Sequence, residues 1–438
     1  MAIFTIPSGQ LEATTITLTD TADTLIVEGQ IIAQPAVITQ GDLNHILVQP
    51  GGLLESNNAT VQIEGRNTSV VNHGVIDGAV IDVVNGGQAS ATILNTGTII
   101  TRQRAINMGG ASTAVINSGT IILRDDPSNG VIYADATAKH VSVDNQLGGV
   151  IDVGQGNDGD AISLELGETV DGSITNQGEI YGRGGANLTH AAAIRLYKGD
   201  GIDGTATFNG AIANSGLLSA EINAAILIED NVFFSGTITN NGVIEGGVYK
   251  SNGAKLAIDG RQAEDSLTII NNGTINGDVL LTSGDDVYRS RTGNINGIVV
   301  GGNGNDLLIG CTRGEVLKGG RGDDRIKAGS GDDRVFGQQG DDVIHAGDGD
   351  DLIVGGRGNN TVFGGDGADI FRLNKGRGVT VIKDFSLDDG DVLDVRKGAI
   401  KQIEFTQVGR DTVVSLGRDE LAVLSNVNAD SLPASVLV

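Results

Sequence analysis

Tryptophan is absent from this 438-residue chain, cysteine occurs once, proline 5 times, and aromatic residues make up 3%. So few large rings and so few helix-type signals speak against a compact helical or mixed domain. The lone Cys311 excludes an internal disulfide framework, which leaves ladders, packing or metal to hold the chain together. No segment approaches the apolar length of a membrane span. The opening MAIFTIPSGQLEATTITLTD lacks a basic start followed by a long apolar run, so a cleaved export signal is not expected and export would need another address. Positive charge is also scarce. A formal net charge of -26 and a pI near 4.4 argue against nucleic acid as a partner and for a cationic one.

What is abundant is glycine, 68 residues, with many Val, Ile, Thr, Asn and Asp, a mixture suited to short strands joined by tight turns. Length alone allows one to three domains, but internal repetition lets one architecture run further. Asn-x-Gly followed by Ile or Leu recurs at Asn72, Asn95, Asn117, Asn176, Asn214, Asn240 and Asn271, with a stretched copy at Asn145. Val or Ile stands two residues before the Asn and Ile or Leu four after it. Even offsets share one face of a strand, so the Asn either forms an inward ladder stacked from coil to coil or marks a surface turn. A second register, Ala161-Ile162, Ala193-Ile194 and Ala225-Ile226, supports coils with loops of variable length. Residues from about 20 to 280 are therefore expected to form a parallel β-solenoid.

Residues 301 to 372 are stricter: GGNGNDLLI, GCTRGEVLK, GGRGDDRIK, AGSGDDRVF, GQQGDDVIH, AGDGDDLIV, GGRGNNTVF and GGDGADIFR run without a gap, after a partial copy, LTSGDDVYR, at Leu281. This pattern resembles the RTX, or repeats-in-toxin, family. The resemblance implies a calcium-binding parallel β-roll, with each row half a coil and rows 18 residues apart stacked on one side. The glycines permit a turn whose carbonyls face a cation, the eighth position plugs a thin core from Leu308 to Phe371, and the sixth supplies charge. Hard oxygen donors favour calcium, whereas zinc would want Cys or His.

The expected metal residues are Asp306, Asp324, Asp333, Asp342, Asp351 and Asp369, with Glu315 and Asn360 as weaker members and Gly301, Gly319, Gly329 and Gly347 in the binding turns. Asp306 should pair with Asp324, Asp324 with Asp342, Asp333 with Asp351, and Asp351 with Asp369. The pairs through Glu315 and Asn360 are doubtful. Folding should be coupled to the ion, because like charges otherwise sit close together. The stretch Phe371 to Val395 resembles the region after the repeats in type I secretion substrates, although Thr380 stands where that family often has Asp. Asp384, Asp388 and Asp391 are either a capping calcium site or solvated turn carboxylates.

Enzyme signatures were sought and not found. The zinc-protease motif His-Glu-x-x-His is missing, the five histidines are scattered (His45, His73, His140, His190, His345), and the Tyr-Gly-x-Asp-Pro-His signature of alginate epimerases is absent. Arg102, Arg104, Arg183 and Arg195 show no spacing with carboxylates that marks a lyase site. Threonine runs such as Thr15, Thr17 and Thr19 do not recur at coil spacing, as an ice-binding array would require. The sequence thus predicts an all-β chain: a solenoid over 1–280, an RTX roll over 281–372 and a cap with a type I secretion signal over 373–438. The expected role is that of a secreted, calcium-binding structural or adhesive protein whose partners are calcium, further copies of itself or a surface polysaccharide, and the secretion machinery. The alternative is a β-helical polysaccharide lyase or epimerase with an RTX export module.

Overall fold

In the computed structural model, residues 2–438 are described apart from 58, 79, 84–87, 103, 125–129, 155–158, 185–190, 200–203, 249–252, 264, 376–377 and 396–399. Strands dominate, and the only helices among the described residues are three short 3-10 turns near the C-terminus. The chain divides into two compact units, Met1–Glu264 and Asp265–Val438.

The first unit is a parallel β-solenoid of three-stranded coils. Its first sheet stacks Thr68–Asn72, Ser90–Asn95, Ser112–Asn117, His140–Asn145, Thr169–Asn176, Ala206–Asn214 and Thr237–Asn240. The second runs through Val75–Gly78 and Thr98–Thr101, and the third through Ile132–Ala134, Ile162–Leu166 and Ile194–Lys198. Alternation decides the faces: Val70, Ile93, Val115, Val143, Ile174, Ile212 and Ile238 lie over one another in the core, all at most 1% exposed. The pairs Ala161-Ile162, Ala193-Ile194 and Ala225-Ile226 stack in the third sheet as their spacing suggests.

Of the two readings of the Asn repeat, the inward ladder is the observed one. Asn72, Asn95, Asn117, Asn145, Asn176, Asn214 and Asn240 are buried, and each Nδ2 donates to the Oδ1 of the next at 2.8 Å. The sequence gaps along this chain of amides vary from 22 to 38 residues, yet the bond length does not change. Extra residues are absorbed at the corners, where they leave the strand register intact.

The glycine after each Asn has a different role from the one its turn chemistry suggests. None of Gly74, Gly97 and Gly119 has a left-handed φ. A Cβ on Gly119 would instead overlap the carbonyl of Gly97 one coil away, and a Cβ on Gly97 that of Gly74. Close stacking of backbones, and not a turn conformation, demands glycine here. Gly119→Ala is expected to lower stability by about 1–3 kcal/mol, the usual range for overpacking. Thermal unfolding at saturating calcium measures it, and an unchanged midpoint would mean the coils separate without cost.

In the second unit the coils change from three-sided to two-sided. Thr274–Asn276 and Asn294–Asn296 form a last pair of the extra side, in register 20 residues apart. Beyond them only two sheets continue, Leu307–Ile309, Arg325–Ser330, Val343–Asp348 and Asn360–Asp366 facing Val316–Arg321, Arg334–Gln339 and Leu352–Arg357. Their partners are 18 residues apart, so each nonapeptide is half a coil. The eighth-position side chains Leu308, Leu317, Ile326, Val335, Ile344, Ile353, Val362 and Phe371 are all buried between the sheets. A meander of Ile403–Val408, Asp411–Leu416 and Asp419–Leu424 adds its last strand beside Thr380–Ile382. The apolar tail returns to the roll, where Val436 is buried and Val438 donates its amide to the Leu393 carbonyl.

Candidate metal centre

Half-coil stacking brings the sixth-position residues into two columns. In one, the amide of Asp286 donates to Oδ1 of Asp306, that of Asp306 to Asp324, that of Asp324 to Asp342 and that of Asp342 to Asn360, at 2.8–3.0 Å. In the other, the amides of Glu315, Asp333, Asp351 and Asp369 donate in turn to Asp333, Asp351, Asp369 and Asp391, at 2.7–3.0 Å. Every pairing expected from the repeat is made, including those through Glu315 and Asn360.

One oxygen of each of the six aspartates from Asp306 to Asp369 is thereby satisfied, Oε2 of Glu315 accepts instead from the Cys311 amide of its own row, and the other oxygen of each is not satisfied. Oδ2 of Asp306, Asp324, Asp333, Asp342, Asp351 and Asp369, and Oε1 of Glu315, are buried without a hydrogen-bond partner. A buried carboxylate oxygen with no partner is costly, so seven of them in register form a site that wants a cation. The first-position glycines make room for it. A Cβ on Gly301, Gly319, Gly337 or Gly364 would overlap Oδ2 of its own row's Asp, and on Gly310 Oε2 of Glu315. The carbonyls of Gly319, Ala328 and Gly355 border the same spaces at Gly301, Gly310 and Gly337. Among the described residues no three His, Cys, Asp or Glu side chains converge. Main-chain carbonyls would therefore complete the donor set, as suits calcium with its six to eight oxygens.

Electrostatics agrees with this reading. Burial, with the charges of neighbouring carboxylates, pushes Asp306, Asp333 and Asp369 up to about 7, Asp324 to about 8, and Asp342 and Asp351 to about 6, although each accepts an amide bond that opposes the shift. Burial raises Glu315 as well.

These features coincide with a known repeat. The family model of the RTX calcium-binding nonapeptide repeat matches residues 312–344 and 345–379. The chain carries an RTX calcium-binding roll. No curated protein matches the chain.

Within the RTX rows the candidate residues are not equivalent. Glu315 keeps an unpartnered oxygen, so its longer side chain preserves the column. Asn360 does not: its Oδ1 accepts from Asp342, and a Cβ on Gly355 would meet Nδ2, a donor where the other rows present an oxygen. Gly329 and Gly347 are second-position turn residues with φ of +123° and +126°, a conformation that L side chains rarely adopt. At the equivalent position of its row, Gln338 is held at φ +82°, a strained replacement. Cys311 is buried.

One end of each column is a carboxylate with both oxygens hydrogen-bonded. Asp286 accepts from the Thr282 hydroxyl and amide and from the Leu267 amide, and Asp391 accepts from the Ser386 and Asp369 amides. Asp384 accepts from the Gly364 amide, and Asp388 is exposed. Sequence reasoning passed over the fifth position. There Asn305, Asp323 and Asp341 accept amides from Asp323, Asp341 and Asn359, so adjacent coils are tied a second time and in the opposite direction. The repeated acid-acid dipeptide was the available signal.

The solenoid departs from expectation in one place, because its third sheet does gather arginines and carboxylates. The Arg104 guanidinium lies 3.5 Å from the Tyr133 ring centroid and that of Arg195 4.1 Å from Tyr197. Both phenols reach Glu165, Tyr133 closely and Tyr197 at 3.4 Å, while Arg195 pairs with Glu229 at 2.7 Å and Asp160 at 3.5 Å. Arg183 binds Asp152 and Glu221. Only Arg102 of the four is exposed. Linear spacing could not reveal this group, since its members are some 30 residues apart and meet only through coil register. His190 lies outside the described residues, and among those described no helix is long and apolar enough to cross a membrane.

Proposed function

We propose that this is a secreted structural or adhesive protein whose RTX roll folds on calcium after export, with residues 373–438 carrying the type I secretion signal. The division at about 280 and 372 then separates a working solenoid, a calcium-dependent folding unit and an export address. The observation that carries this reading is the double column of buried carboxylate oxygens without a hydrogen-bond partner, none of which is in an ion pair among the described residues. A roll built this way stays open where calcium is scarce and closes where it is plentiful.

The test is a calcium titration of the full chain read by limited proteolysis of the roll. Protection should appear at about 0.1–1 mM calcium, the range of extracellular modules. Protection already complete at micromolar calcium would remove the link to export. Electron microscopy with and without calcium then examines the structural role through ordered sheets or filaments.

A second reading, a polysaccharide-modifying enzyme, is favoured by the Arg104, Tyr133, Glu165 and Tyr197 group, which places phenols on a carboxylate beside arginines. Shortening of a polyuronate by the purified chain, abolished in Glu165→Gln, would support it over the structural one.

A further inference from the structure

The chain is acidic throughout, yet two outward rows on one face of the roll hold no acid, although Asp384 borders them beside Lys383. Along the sheet from Thr268–Asn271 to Asp419–Leu424, strand register stacks two outward rows. One reads Thr268, Val287, Leu307, Arg325, Val343, Thr361, Val381 and Val423. The other reads Ile270, Arg289, Ile309, Lys327, His345, Phe363, Lys383 and Ser425. These sixteen positions hold four cations, one histidine and no carboxylate, in a chain with 55 Asp and Glu.

The cations are available. Arg289, Arg325, Lys327 and Lys383 are exposed, and none makes an ion pair among the described residues. The opposite sheet carries Lys318, Arg334 and Phe336 in the equivalent rows and differs in holding an acid, Asp394, which is paired with Arg372. Between Lys327 and Lys383 the His345 and Phe363 rings stack 4.3 Å apart and 5° from parallel, making a flat platform. Burial and the neighbouring Lys327 hold His345 below the usual imidazole value, against the opposing influence of Asp384. The acids Asp348 and Asp366 lie outside these rows, toward the turn.

The geometry points to this face as a docking strip for an extended acidic polysaccharide, with carboxylates or sulfates on Arg325, Lys327 and Lys383 and a sugar ring over the Phe363 platform. This rests on the adhesive reading above. Arg289 and Lys327 stand two strands apart and Lys327 and Lys383 three, which at ~4.8 Å per strand sets the cations ~10 and ~14 Å apart, a spacing that charged groups along one extended glycan can span. Apolar Val343, Phe363 and Ile309 suit the C–H faces of pyranose rings. Charge complementarity chooses the occupant, since a chain with a net charge of -26 would repel such a polymer unless it met a cationic strip.

The experiment uses the full chain at millimolar calcium and a size-defined oligogalacturonate, with an uncharged oligoglucan and anionic phospholipid vesicles as parallel probes, read by calorimetry. Binding should be seen for the uronate and weaken with salt. The triple variant Arg325→Gln, Lys327→Gln, Lys383→Gln should bind about tenfold more weakly or worse, three exposed charge contacts being lost. Lys318→Gln with Arg334→Gln, on the other sheet, should bind as the parent does. The single variants Lys327→Gln and Lys383→Gln keep the test readable if the triple variant does not fold. Uronate binding that survives the triple variant, or falls equally in the opposite-face pair, overturns the strip but leaves the adhesive reading standing. Binding to vesicles but not to uronate overturns the strip in favour of a membrane surface. No binding of any acidic glycan overturns both.

Discussion

Removing calcium at pH 8 is expected to unfold residues 301–372 while the asparagine-laddered solenoid keeps its strands, and acidifying the calcium-free protein toward pH 5 is expected to restore part of the roll. The first half follows from the partnerless oxygens of Asp306, Asp324, Asp333, Asp342, Asp351 and Asp369. The second follows from their titration. In the ion-free fold these carboxyls sit at about 6 to 8, well above the ordinary ~4 of an unfolded chain. Between those values the folded roll binds more protons than the unfolded one. Its stability is therefore fully present below about pH 4 and is lost as pH rises through the folded values. Calcium replaces the protons, so its binding should release them near neutral pH and become tighter as pH rises. Circular dichroism and limited proteolysis over pH 4–9, with chelator or millimolar calcium, measure both effects. A roll unaffected by chelator at pH 8, or less stable at pH 5 than at pH 8 without calcium, would contradict this account.

The second large effect belongs to the solenoid. Asn117→Ala removes a buried amide that accepts from Asn95 and donates to both Asn145 and the Val150 carbonyl, at 2.8, 2.8 and 3.2 Å. Asn145 Oδ1 and the Val150 carbonyl lose the Asn117 donor, and Asn95 Nδ2 loses one acceptor while keeping the Gly97 and Thr120 carbonyls, where water cannot replace the missing bonds. Each unpaired buried group costs about 1–3 kcal/mol, so the loss should be about 2–5 kcal/mol. Asn117→Asp should cost a similar amount, because a carboxylate cannot donate to Asn145. Asn209→Ala is the control: that residue is exposed and bonds Asp171 one coil away at 2.8 Å, and its loss should cost under about 1 kcal/mol. Thermal or denaturant unfolding at saturating calcium, with the roll kept folded, decides. Equal small effects at Asn117 and Asn209 would mean the inner ladder contributes no more than a surface bond.

The two cross-coil devices divide the labour of holding a thin fold together. In the solenoid a neutral amide both donates and accepts, so the column from Asn72 to Asn240 is complete in itself. In the roll a carboxylate only accepts. After one backbone amide is bound, its second oxygen is left over, and an ion is needed. Asn360 marks the difference within the roll: the amide ends the column's demand for charge. The cross-coil bonding is complete without an ion in one unit and calls for one in the other.

Read alone, the sequence determined the repeats, their period and their chemistry: which residues are aliphatic plugs, which are carboxylates, and that rows 18 residues apart must stack. It could do so because a solenoid converts sequence periodicity directly into spatial register, and each coil contacts chiefly its neighbours. It left open whether the Asn repeat faced inward, since an even offset is compatible with a strand or with a strand ending in a turn. Tertiary structure decided that through the unbroken amide chain, and it reassigned the following glycines from turn chemistry to backbone crowding. It alone revealed that Asp286 and Asp391 each end a column with both oxygens hydrogen-bonded, that Arg104, Tyr133, Glu165 and Tyr197 meet, and that Arg289, Lys327 and Lys383 line one face. In the solenoid the loop lengths between coils vary while the strand register does not, so its partners are fixed by stacking and invisible to any constant spacing along the chain.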